Sequence, residues 1–152
     1  MFARPDRAGG VRRRRRLDVV LLVLADDGSA RVTEVVDWNF GPADRHGIVR
    51  DVPGLRTSAP VEVSSPDAPD DVALSTAGTP QIRIGDHGRT VSGLHRYVVT
   101  YTLDGVVRGG RFAWDAVGTT WAVPVEHVDV PVTAPTALVA PGCTTGLSLI
   151  HI

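Results

Sequence analysis

The chain has 152 residues, 43% hydrophobic and 5% aromatic, with 16 glycines and 11 prolines. That suffices for about one domain with a single core and many turns. A net charge of −1 excludes a global basic field that would recruit nucleic acid, and no apolar run reaches the roughly 18 to 20 residues that a membrane-crossing helix needs.

Lysine is absent, and five arginines stand together at residues 12–16. Residues 1–16 lack hydrophobic periodicity and are expected to form a disordered, arginine-rich tail. The apolar run 17–25 that follows reads as a strand. Two other readings stay open: basic residues before an apolar run resemble the start of a secretory signal, and the arginines resemble a nucleic-acid-binding arm. Against the signal, Asp18 interrupts the run, and Asp26-Asp27-Gly28 stands where small residues would mark a cleavage site. Against the arm, five arginines make few phosphate contacts.

Asp27-Gly28 between two β-prone runs predicts a hairpin turn, since glycine tolerates positive φ. The next strand, Ala30 to Phe40, puts Val32, Glu34, Val36 and Trp38 on one side and Arg31, Thr33, Val35 and Asp37 on the other. That alternation does not say which side is buried. Residues 41–58 read as one long connection, because glycine and proline punctuate them. Short strands follow at 60–65, 72–75 and 81–84, with 66–71 and 86–89 as turns. Residues 94–103, LHRYVVTYTL, form the clearest strand, with Tyr97, Val99, Tyr101 and Leu103 on one face. Further strands are expected at Phe112 to Asp115 and Thr119 to Val130, with a last extended segment from Thr136 to Ala140.

Many short strands and no helical period predict an all-β fold, an antiparallel β-sandwich of general immunoglobulin-like architecture with long loops, spanning 17–142. No repeat of 20–50 residues argues for a propeller or solenoid.

The chemistry-bearing residues crowd into one stretch, VVDWNFGPADRHGIVRDVP (35–53). Asp44 and His46 lie two apart, share a face if extended, and with Asp51 suggest a weak metal site. The preferred reading is a polar network of Asp44, Arg45, His46, Arg50 and Asp51, in which carboxylates pair with arginines and cap backbone amides to pin the loop. No histidine forms an HxH, HxxxH or HExxH pair, and the chain has no GxSxG, P-loop or GxGxxG motif, so no catalytic residue and no cofactor is assigned. The single cysteine, Cys143, has no base nearby in sequence. Trp38, Trp114 and Trp121 suit either core packing or an exposed sugar-binding face.

In order along the chain come Asp27-Gly28-Ser29, Trp38-Asn39-Phe40, the element RHGIVRDVP (45–53), the element GLHRYVVTY (93–101), Phe112-Ala113-Trp114-Asp115, and Cys143-x-x-Gly146. This order resembles the N-terminal domain of the DUF2207 family of predicted bacterial membrane proteins, over about Leu17 to Gly146. The resemblance implies an extracytoplasmic β-sandwich at the cell envelope, with a signal sequence before it and membrane helices after it. It supplies no known activity. It also implies that Cys143 is one half of a disulfide whose partner cysteine follows Cys-x-x-Gly in the family. Here residues 147–152, LSLIHI, resemble translated sequencing-adapter sequence instead, so 143–152 is expected to be a truncated segment with a partly artefactual end. The expected role is non-enzymatic: a binding or structural module for a protein or cell-envelope component, held to the membrane by segments missing from this chain. A metal or carbohydrate site on the 41–53 loop or the tryptophans is the alternative.

Overall fold

The computed structural model describes residues 15–117 and 128–137. Ten strands and no helix occur among them. Strand β1 (Arg15–Leu24) and strand β2 (Ala30–Asn39) form a hairpin closed at Asp26–Ser29, where Ala25 N–H donates to Ser29 O at 2.9 Å and Gly28 takes φ 80°. Asp27 accepts from both the amide and the hydroxyl of Ser29, which holds its carboxyl below the usual carboxylate range.

Along β2 the burial alternates strictly: Ala30, Val32, Glu34, Val36 and Trp38 face inward. The side that carries Glu34 is therefore the core side. Strand β7 (Leu94–Leu103) pairs antiparallel with β2 without a break from Ala30↔Leu103 to Asn39↔Leu94. As the pattern predicts, Tyr97, Val99, Tyr101 and Leu103 are buried. Strand β4 (Glu62–Ser64) adds to the far side of β7. On the other flank β10 (Val132–Thr133) pairs parallel with β1, giving a sheet ordered β10-β1-β2-β7-β4.

A second, antiparallel sheet is ordered β3-β6-β5, from β3 (Ile48–Asp51), β6 (Gln81–Ile84) and β5 (Val72–Ser75). Strands β8 (Val107–Arg108) and β9 (Arg111–Phe112) make a small hairpin. One hydrophobic cluster draws on both larger sheets: Val20, Leu22, Val32, Tyr97 and Tyr101 from the first, Ile48, Ile82 and Ile84 from the second. Each such apolar side chain contributes about 1.5–3 kcal/mol on burial.

Three expectations change. The connection 41–58 contains strand β3, because Ile48–Asp51 finds Gln81–Ile84 as a partner. Of the segment 112–115, only Phe112 is in a strand. Thr136 and Ala137 are not extended strand; the last strand lies just before them, between Pro131 and Pro135, and exists because β1 offers it a parallel edge. Strand β1 also opens at Arg15, inside the arginine run. The expected strand at 119–130 falls mostly outside the described residues; Asp129 does lend its carbonyl to Val20 N–H at 2.8 Å.

Candidate functional site

The loop leaving β2 is tied down by backbone first. Asn39 Oδ1 accepts from Gly41 N–H at 2.8 Å, so the chain turns. Phe40 N–H donates to Gly93 O at 2.7 Å and Gly93 N–H to Gly41 O at 2.8 Å. Arg45 and Val91 then exchange both backbone hydrogen bonds, at 2.9 and 2.7 Å. Next, Gly47 (φ 147°) and Gly85 (φ 125°) pass back to back. A Cβ on Gly47 would fall on the Ile84 carbonyl, and one on Gly85 on the His46 carbonyl. The glycine after His46 is thus required by a close approach of two backbones.

Strand β3 follows, and its inward residues are Ile48 and Arg50, with Val52 just beyond; all three are buried. Arg50 lies 4% exposed and Glu34 0% exposed, and they meet between the sheets. Arg50 Nη2 donates to Glu34 Oε1 at 2.9 Å and Nε to Oε2 at 3.2 Å, a forked pair. Two further guanidinium hydrogens go to backbone carbonyls, Nη1 to Asp51 O at 2.7 Å and Nη2 to Ala116 O at 3.2 Å. Tyr101 donates its hydroxyl to Glu34 Oε1 at 2.5 Å. Burial disfavours the guanidinium charge, but Glu34, with Tyr101 and Asp115 behind it, outweighs that and holds Arg50 above its ordinary value. Burial, then the Glu34 carboxylate, pushes the Tyr101 phenol well up. The cluster is a charge pair hydrogen-bonded within the protein itself.

The other residues of the stretch have separate partners. Arg45 Nη1 donates to the backbone carbonyl of Asp44, whose side chain is exposed. His46 is turned toward the backbone: Nδ1–H donates to the carbonyls of Asp86 and Arg89, both at 3.1 Å. Asp51 accepts from the Gln81 amide at 2.6 Å. Arg50 faces the core, whereas Asp44 faces solvent. Among the described residues, no three or more of histidine, cysteine, aspartate and glutamate are grouped to hold a metal ion, Asp44, His46 and Asp51 included. Trp38 and Trp114 are buried, 6% and 8% exposed, so neither offers a flat face to a sugar. Trp121 and Cys143 lie outside the described residues.

At the end of the β2–β7 pair where the loop begins, opposite Trp38, His95 Nε2–H donates to Ser92 O at 2.8 Å, which leaves Nδ1 facing Asp67 Oδ2 at 3.3 Å. That approach is a charge contact when the ring is protonated, and its geometry falls short of a hydrogen bond. Beside it, Tyr97 is pushed up to about 12, by burial first and then by Asp67 and Asp70.

Sequence reading missed Glu34 and Tyr101. The signal was present: a carboxylate on the apolar side of one alternating strand, and an arginine between Ile48 and Val52 in another. Two opposite charges, each interrupting a buried face, need each other.

Residues 15–146 match a family model described as the N-terminal domain of a predicted membrane protein (DUF2207). No curated protein and no solved structure matches the chain. Among the described residues, no helix is long and apolar enough to cross a membrane.

Proposed function

The chain belongs to the DUF2207 family of predicted membrane proteins, in its N-terminal domain, and on that premise we propose a non-enzymatic module on the extracytoplasmic side of the cell membrane, binding a protein or cell-envelope component or serving as a structural part of the whole protein. Its two larger sheets are read as a β-sandwich of general immunoglobulin-like architecture. The observation that carries this reading is the Glu34–Arg50–Tyr101 cluster. The buried charged residues among those described, Glu34 and Arg50, sit in the core hydrogen-bonded to protein atoms, and they clamp one sheet to the other. The 41–53 loop, ordered by backbone bonds and carrying exposed Asp44, is the surface we assign to a partner.

The test is topological. Asp44→Cys in the full-length protein, with every native cysteine changed to serine, is exposed to a membrane-impermeant maleimide on intact cells. Labelling on intact cells is the expected result. Labelling only after lysis would place the domain inside and end the extracytoplasmic reading.

A further inference from the structure

Strand β5 is the outer strand of its sheet, and among the described residues no strand pairs with its far side. Its register fixes what that side offers. Gly85 N–H donates to Asp71 O at 2.9 Å, so Asp71 and Gly85 are a hydrogen-bonded pair. Because pairs alternate along an antiparallel ladder, Ala73↔Arg83 and Ser75↔Gln81 are hydrogen-bonded too, and Val72↔Ile84 and Leu74↔Ile82 are not. The N–H and C=O groups of Val72 and Leu74 therefore point away from β6, along the open edge. Their side chains lie on the same face as Ile84 and Ile82, which have no exposure, yet they are themselves 38% and 40% exposed. Natural edges are normally blunted by charge, proline or a bulge within the strand. Val72–Ser75 contains none of these.

We infer that β5 pairs antiparallel with β5 of a second copy of this chain, in the register centred on Ala73. In that register Val72 lies opposite Leu74 of the copy and exchanges N–H···O=C bonds with it, and Leu74 does the same with the copy's Val72. Four backbone hydrogen bonds form, and both apolar cross-strand pairs lie on the core face. The two Ala73 residues face each other as a non-hydrogen-bonded pair. Self-complementarity favours a second copy: the register matches each exposed Val72 to a Leu74, while Asp71 falls opposite Ser75 and Asp70 opposite Thr76, so no carboxylate meets a carboxylate. The two three-stranded sheets become one of six strands, with closed two-fold symmetry.

The test uses the 152-residue chain with Cys143→Ser. Sedimentation is expected to show a concentration-dependent dimer. Leu74→Pro, which removes an outward N–H that β6 does not use, weakens the dimer by about tenfold or more while leaving the far-UV spectrum unchanged. Mild oxidation of Ala73→Cys gives a covalent dimer; Thr76→Cys, whose copies stand far apart in this register, does not. A chain that stays monomeric at every concentration overturns the proposal, and so does equal cross-linking through both cysteines.

Discussion

Strand β2 carries two carboxylates that each receive a forked arginine. Glu34 points into the core and takes Nε and Nη2 of Arg50; Asp37, three residues on, points to the outer face and takes Nε and Nη2 of Arg96, both at 2.7 Å. The hydrogen bonds are alike, and the outer pair is the shorter. The surroundings differ: Arg50 and Glu34 are 4% and 0% exposed, Arg96 and Asp37 51% and 15%. Water screens the outer pair and solvates its members when they separate, so its net contribution is small. The inner pair has no such fallback. Once desolvated, each charge depends on the other, and the geometry becomes a constraint on how the sheets sit.

The largest break in this comparison is expected at Arg50. Arg50→Met keeps the bulk of the side chain and strands the Glu34 carboxylate in the core, at a cost of about 3–5 kcal/mol in urea unfolding. Adding Glu34→Leu removes the stranded charge and restores most of that loss. If Arg50→Met alone is mild, Glu34 reaches water or another cation and the inner pair is no constraint.

A second test uses the chain's two tyrosines, Tyr97 and Tyr101, both on the buried face of β7. Tyr97 is pushed up to about 12, and Tyr101 well above its ordinary value. An unfolded tyrosine ionises near ~10. Folding raises the affinity for the proton, so the contribution to stability is complete below ~10 and is lost as pH climbs from there toward the folded values. Absorbance titration is expected to show no tyrosinate while the native spectrum persists, then both phenolates together on unfolding. A phenolate near ~10 in folded protein would mean that one hydroxyl has reached water.

What the sequence revealed and what it hid divide along the same line. The face Tyr97, Val99, Tyr101, Leu103 was legible because four bulky side chains at a period of two have few other uses, and Asp27-Gly28 was legible because its turn is local. Strand β3 was hidden twice: Gly41, Pro42, Gly47, Pro53 and Gly54 crowd it on both sides, and Arg50 disguises the buried series Ile48, Arg50, Val52. Strand β10 was hidden because two residues between prolines have no strand signal of their own. The inner cluster joins residues 16 and 67 apart in sequence, and no local pattern pairs them. The same holds for Gly47: its need for glycine comes from Gly85, on another strand's end, and not from the turn around it.

The smallest effect is expected at the outer pair. Arg96 stands directly opposite Asp37 in the β2–β7 register, on the face where Arg31 also reaches over β7 to Glu62 at 3.1 Å. Arg96→Met should cost about 0–1 kcal/mol, and less again in high salt, because water takes over the hydrogen bonds that Asp37 loses. Salt is the sharper control: Debye screening acts on charges that solvent surrounds and hardly on those it cannot reach. The cost of Arg96→Met should therefore shrink as sodium chloride is added, while that of Arg50→Met stays constant. A salt-independent loss at Arg96 would show that the outer face is covered in the protein as studied, and that the two carboxylates of β2 share one environment after all.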